Sequence, residues 1–145
     1  MQYNHPNTGS NFHRSAIIVP CFNEEARFPF SEFLTFTIRH TDVLLCFVND
    51  GSHDETISVL NAFQMQAYRN TCILDLSKNV GKAEAVRLGM LHVYNTFNIP
   101  LIGFLDADLA TDPEEWLDMA QFQFDHENYA AIVGSRIQRL GAKLS

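Results

Sequence analysis

Five short apolar runs punctuate the chain, at residues 16–20, 43–48, 71–76, 101–105 and 130–133. Each is nearly continuous in Val, Ile, Leu, Phe or Ala, the pattern of strands buried on both faces of a parallel sheet. Helical spacings lie between them. Phe33, Leu34, Phe36 and Ile38 predict a first helix, introduced by Pro29. Ile57, Val59, Leu60 and Phe63 predict a second, with Ser52 and Glu55 placed as a capping box at its start. Ala85, Leu88, Gly89, His92 and Val93 mark a third. Asp112-Pro113-Glu114-Glu115 opens a fourth, with Asp as N-cap, Pro at the first helical position and acids in the first turn. The repeated β-α order predicts a three-layer α/β/α sandwich on a mostly parallel sheet.

Such sheets bind ligands outside the carboxyl ends of their strands. Those ends read Pro20-Cys21-Phe22-Asn23-Glu24, Asn49-Asp50-Gly51-Ser52, Ser77-Lys78-Asn79 and Asp106-Ala107-Asp108, so polar and acidic residues gather at one edge of an apolar sheet. Asp106 and Asp108, two apart in an extended segment, would point to the same side. Two carboxylates so close repel unless a cation or hydrogen bonds compensate, and a hard divalent ion shared with substrate phosphates is one solution. The plainer reading is a strand end that caps a turn. Asp50 can accept hydrogen bonds from a nucleobase edge, while Gly51 lets the backbone turn closely beneath a ligand; a strand-to-helix turn with Ser52 as N-cap also explains Gly51, whereas the sheet edge Asp50 shares with the Asp-x-Asp favours a functional role for it. Lys82 at a helix start suits a diphosphate, or is an ordinary solvated first-turn lysine. Of Glu24 and Glu25, one suits a base or ribose contact. Arg136, after the fifth run, suits a bidentate phosphate clamp or an exposed surface position.

Composition narrows the classes. The chain has 145 residues, 46% of them hydrophobic, enough for one globular domain. A net charge of −7 argues against a nucleic-acid partner but allows a nucleotide held through a bound cation. Twelve phenylalanines suggest an apolar face covered by something outside this sequence. Cys21, Cys46 and Cys72 lie in or beside apolar runs without CxxC spacing and read as reduced thiols. No stretch approaches the roughly 18–20 apolar residues that span a bilayer, and no signal-peptide core precedes residue 15. The expectation is a protein of the cytoplasm or of the cytoplasmic face of a membrane, with residues 1–14 as a flexible leader. The segment Asn79-Val80-Gly81-Lys82-Ala83 fails as a Walker A loop, since Ala83 follows the lysine and Leu76 fills the first glycine position. No GxGxxG, Cys-His or Ser-His-Asp set is present, and the six histidines lack metal-ligand spacing.

Four segments in order carry a resemblance. They are Ile17-Ile18-Val19-Pro20-Cys21-Phe22-Asn23-Glu24-Glu25, Phe47-Val48-Asn49-Asp50-Gly51-Ser52, Asn79-Val80-Gly81-Lys82 with Ala85 and Gly89, and Phe104-Leu105-Asp106-Ala107-Asp108. Together they resemble family 2 glycosyltransferases of the GT-A fold, over roughly residues 15–136. In motif style the dolichyl- and polyprenyl-phosphate sugar synthases are the nearest group, although Ala83 stands where that group often has Gly and Asn49 where an acid often precedes Asp50.

The resemblance implies a nucleotide-sugar-binding domain over residues 15–145, with Pro20, Phe22, Asn23, Glu24, Asp50, Lys82 and Asp106 around the donor. It implies Asp50 on the base, and Asp108 with Asp106 on Mg2+ or Mn2+. Arg136 would face an acceptor phosphate. The implied reaction is metal-assisted inverting transfer from a UDP- or GDP-sugar to a glycan or a polyprenyl or dolichyl phosphate. The catalytic base and the acceptor half are expected beyond Ser145, along with any segment giving peripheral membrane association, so the chain reads as part of a longer protein. Two alternatives stand beside this: a nucleotidyltransferase, and a non-catalytic nucleotide-sugar-binding or interaction fragment.

Overall fold

A computed structural model describes residues 13–128. In chain order they form β1 (Ser15–Cys21), α1 (Phe30–Arg39), β2 (Val43–Asp50), α2 (Thr56–Gln66), a 3-10 turn (Tyr68–Asn70), β3 (Thr71–Leu76), α3 (Lys82–Thr96), β4 (Leu101–Phe104) and α4 (Pro113–Asp125). The strands pair in parallel in the order β3-β2-β1-β4. The first four apolar runs are thus strands, and the α/β expectation holds. The fifth run, at 130–133, lies outside the described residues, as do residues 1–12 and Arg136.

Alternation along the central strands sorts the core into two layers, because successive side chains point to opposite faces. Ile17, Val19 and Cys21 of β1 and Val43, Leu45 and Phe47 of β2 face α1, α2 and α4, meeting Phe33, Phe36, Leu60, Phe63, Trp116 and Ala120. Ala16 and Ile18, with Leu44, Cys46 and Val48, face α3 through Ala85 and Val93. The sheet is therefore covered on both sides. On the first face Phe28, Phe30, Phe33, Phe47 and Phe63 form one aromatic cluster, with ring centroids 5.2–6.3 Å apart and mostly edge-to-face. Many of the phenylalanines thus find partners within the chain itself.

Helix boundaries show where local spacing misleads. Asp112 caps α4 as its sequence promises, accepting from the Glu114 N–H at 2.8 Å, with Pro113 at the first position. The Ser52–Glu55 capping box does not form. Helix α2 starts at Thr56, whose N–H goes to the Asp54 carboxylate at 3.0 Å, while the Ser52 hydroxyl is held by Asn49 and Asn23. In α1 the buried positions are Phe33, Phe36 and Thr37, whereas Ile38 is 67% exposed. Five residues after Phe33 and two after Phe36, it is turned off the inward stripe.

Strand order places the site. Chain growth from β1 runs to β2 and β3 on one side, then returns across the sheet to β4 on the other side of β1. The strand order thus reverses between β1 and β4, and the crevice outside their carboxyl ends is the usual ligand position in open α/β sheets. Helix α3 makes the return and must lie close on the sheet. It does so at Gly89, where an added Cβ would come within 2.6 Å of Ile18 Cγ2 and 2.8 Å of Val48 Cγ2. Alanine in place of glycine adds roughly 1 kcal/mol of helix propensity, but overpacking a filled interface costs typically about 1–3 kcal/mol. Gly89→Ala is expected to lower stability by about 1 kcal/mol in urea unfolding; a stabilised variant would contradict this close approach.

Candidate functional site

A cleft of about 400 Å³ opens at that crevice. It is lined by Pro20, Phe22 and Glu24 from the end of β1, Asp50 from β2, Lys82 from the start of α3, and Asp106 with Asp108 after β4. Seven of the nine residues singled out by sequence thus meet in one place. Asn23 is not part of the lining, and Arg136 lies outside the described residues.

Asn23 supports the site from behind. It takes a left-handed conformation (φ 51°), which asparagine tolerates better than most residues. Its N–H donates to Ser52 Oγ at 3.0 Å, and its Oδ1 accepts from the His53 N–H at 2.8 Å. The Glu24 N–H donates to Thr56 Oγ1 at 2.8 Å. These bonds sew the turn after β1 to the turn after β2. Phe22 projects beyond the seam, 39% exposed, edge-on to the His53 ring at 6.1 Å.

Asp50 is 3% exposed, and three donors reach its carboxylate. Oδ1 accepts from the Val80 N–H at 2.7 Å; Oδ2 accepts from the Gly81 N–H at 3.1 Å and from Asn79 Nδ2 at 3.2 Å. A carboxylate has about four acceptor positions, so roughly one remains. Gly51 explains how the loop comes so near. At φ 62°, an added Cβ would sit 2.2 Å from the Asn79 backbone nitrogen. The space below Gly51 is filled by the neighbouring loop, where the sequence suggested a ligand.

The Asp-x-Asp segment is a turn rather than an extended stretch. The Leu105 N–H still donates to Ile18 O at 3.0 Å, but the Leu109 N–H closes back on Asp106 O at 3.2 Å. Leu109 itself has φ 56°, a strained setting for a bulky residue. Ala107 is buried, and both carboxylates line the cleft. Asp106 pairs with the Lys82 ammonium. Asp108 is exposed, and its Oδ1 accepts from the Ala110 N–H at 2.9 Å.

Spacing did not single out Arg27, which also lines the cleft and grips Glu24 with two nitrogens, at 2.8 and 3.3 Å. The opposite charges three residues apart were its one signal. Cys21 lines the cleft as well, yet burial, followed by the nearby Glu24 charge, pushes its thiol far up, so it offers no thiolate.

Four carboxylates (Glu24, Asp50, Asp106 and Asp108) face two cations (Arg27 and Lys82) in this lining, leaving two negative charges. Among the described residues no group of three or more His, Cys, Asp or Glu is gathered to hold an ion alone. The donor set nevertheless fits a hard divalent ion completed by substrate oxygens. Its ligands are all oxygen, one divalent ion would balance the charge, and Asp108 has no cation partner among the described residues.

Comparison with known proteins places the chain in a family. The model of the family described as Glycosyl transferase family 2 matches residues 16–144. A dolichyl-phosphate β-glucosyltransferase of Trichomonas vaginalis is 34% identical over 88% of this chain and 42% of its own length. An undecaprenyl-phosphate 4-deoxy-4-formamido-L-arabinose transferase of Shewanella sediminis is 32% identical over 69% of this chain and 30% of its own length. The chain thus spans less than half of either relative. Among solved structures, S. aureus TarS superposes with a TM-score of 0.59 at 21% identity, over 79% of this chain and 33% of TarS. A Pyrobaculum calidifontis mannosyltransferase in complex with GDP-Man and Mn2+ gives 0.52 at 20% identity, over 67% of this chain and 28% of its own. These likenesses show a shared fold.

Asp50→Asn replaces one acceptor oxygen by a donor and strands a Val80 or Gly81 N–H. The expected result is a stability loss of about 1–3 kcal/mol, with faster hydrogen exchange at those two amides. Unchanged exchange there would remove Asp50 from this role.

Proposed function

The chain belongs to glycosyl transferase family 2, and we propose that its cleft binds a nucleoside-diphosphate sugar whose sugar passes, with inversion, to a polyprenyl or dolichyl phosphate. The observation that carries the donor reading is the convergence of Asp50, Lys82, Asp106 and Asp108 with Pro20 and Phe22 on one cleft at the sheet edge. The relatives' activities, named above, support the lipid-phosphate acceptor. Structures of TarS with UDP and UDP-GlcNAc, and of the mannosyltransferase with GDP-Man, support the donor class.

In this reading Phe22 presents an exposed aromatic face to the base, and Asp50 offers its remaining acceptor position to a base N–H. Glu24, fixed by Arg27, borders the ribose. The start of α3 brings Lys82 and helix N–H groups towards the diphosphate, where helix N-termini favour anions. Asp108 and Asp106 would hold Mg2+ or Mn2+, which when bound supplies positive charge against the departing diphosphate. The acceptor phosphate oxygen attacks the anomeric carbon from the face opposite the leaving group. A new C–O bond forms as the old one breaks, and the nucleoside diphosphate leaves with the electron pair. An ionised phosphate needs no general base, unlike a hydroxyl acceptor. Arg136 is the candidate contact to that phosphate. Among the described residues no helix is long and apolar enough to cross a membrane, and in this reading the transfer takes place at the cytoplasmic face of one.

Calorimetric titration of UDP and GDP with Mn2+, Mg2+ or a chelator tests the donor site. Binding of one nucleotide is expected only with metal. Asp108→Asn should weaken it at least about ten-fold, the loss that even outer-shell changes around a metal produce. Equal affinity in chelator would refute the metal reading.

A further inference from the structure

The two cations of the cleft are held differently. Arg27 grips Glu24 within a single turn of chain, three residues apart. Lys82 reaches across the cleft to Asp106, joining the start of α3 to the turn after β4. Asp106 Oδ1 therefore already has a positive partner, on one of the two carboxylates that would hold a divalent ion. The pair is open to solvent, at 59% and 39% side-chain exposure, so it is a weak and exchangeable contact. The lysine stem is flexible, but its backbone is not free to wander. Asp50 holds the Val80 and Gly81 N–H groups immediately before it. Gly81, as N-cap, provides no side-chain cap for the first N–H groups of α3.

Resting on the donor reading above, we propose that Lys82 stands in for the divalent ion at Asp106 before the donor arrives, and then moves to the donor diphosphate as the ion takes its place. Alone, the ion must displace an ammonium from Asp106. Alone, the diphosphate must draw Lys82 away and leave two neighbouring carboxylates uncompensated. Together each removes the other's obstacle, since the diphosphate receives the lysine and Asp106 receives the ion. Metal and nucleotide are thus coupled, and the coupling is reciprocal. Lys82 acts here as a phosphate contact whose resting partner is a metal ligand.

The test measures Mn2+ affinity of the 145-residue chain by electron paramagnetic resonance, with and without saturating UDP or GDP. The ratio of the two affinities is the coupling factor. In Lys82→Met, Mn2+ without nucleotide should bind about three-fold more tightly, the scale of an exposed ion pair. The coupling factor should fall by a similar amount, about three-fold, because with nucleotide bound the lysine is already off Asp106 and its removal no longer helps the ion. Removing a positive charge merely from the neighbourhood would raise both affinities and leave their ratio unchanged. Arg87→Met, which deletes a cation from the same helix outside the cleft, is expected to keep the wild-type factor. A wild-type factor in Lys82→Met, or an equal fall in Arg87→Met, would overturn the exchange while leaving the donor site standing. Failure of the wild-type chain to bind Mn2+ even with nucleotide would overturn both.

Discussion

Val80 N–H, Gly81 N–H and the Asn79 side-chain amide converge on the Asp50 carboxylate, which has almost no contact with water. A carboxylate in that setting is tolerable only when donors surround it. The constraint runs both ways: the loop after β3 satisfies Asp50, and Asp50 fixes the loop. Because β2 is central in the sheet, this bond set ties the entry of α3 to the most buried strand of the domain. Gly51 makes the tie geometrically possible. The reach of Lys82 across to Asp106 follows from where that loop is held.

Around this fixed point the cleft combines rigid and adjustable parts. The turns after β1 and β2 are sewn together by Ser52, Asn23 and Thr56, and Glu24 is clamped by Arg27. Facing them, Asp108 is exposed and Asp106 is held by a flexible, half-exposed lysine. The wall assigned to the nucleoside is thus preorganised, while the wall assigned to the diphosphate can rearrange.

Much of the fold was legible from residue pattern. Unbroken apolar runs gave four strands, since a strand covered on both sides needs no polar positions. Asp112-Pro113 marked the start of α4 because capping is local chemistry. The acidic strand ends were correctly gathered at one edge, because parallel strands must all finish there. What escaped depends on residues far apart in sequence. Ser52 looked like a cap until Asn23, 29 residues away, claimed its hydroxyl. Asn23 reads as a ligand contact by position alone, and the bond its Oδ1 accepts from the His53 N–H, 30 residues away, has no local signal. Gly51 faced a loop nearly thirty residues later, and no local spacing reports such a neighbour. Arg27 was passed over because a charged residue in a turn is usually no more than solvated surface.

The chain has one tryptophan, Trp116, 7% exposed in α4. Its indole lies against β4 so closely that a Cβ on Gly103 would meet Nε1 at 2.8 Å. Asp106 and Asp108 sit on the short connection between that strand and that helix. This chain therefore has a single indole fluorophore, excitable apart from its four tyrosines, wedged at the base of the loop that bears both proposed metal ligands. A shift of that loop would register in the emission of one known residue, with no label attached and no second indole to confuse the signal.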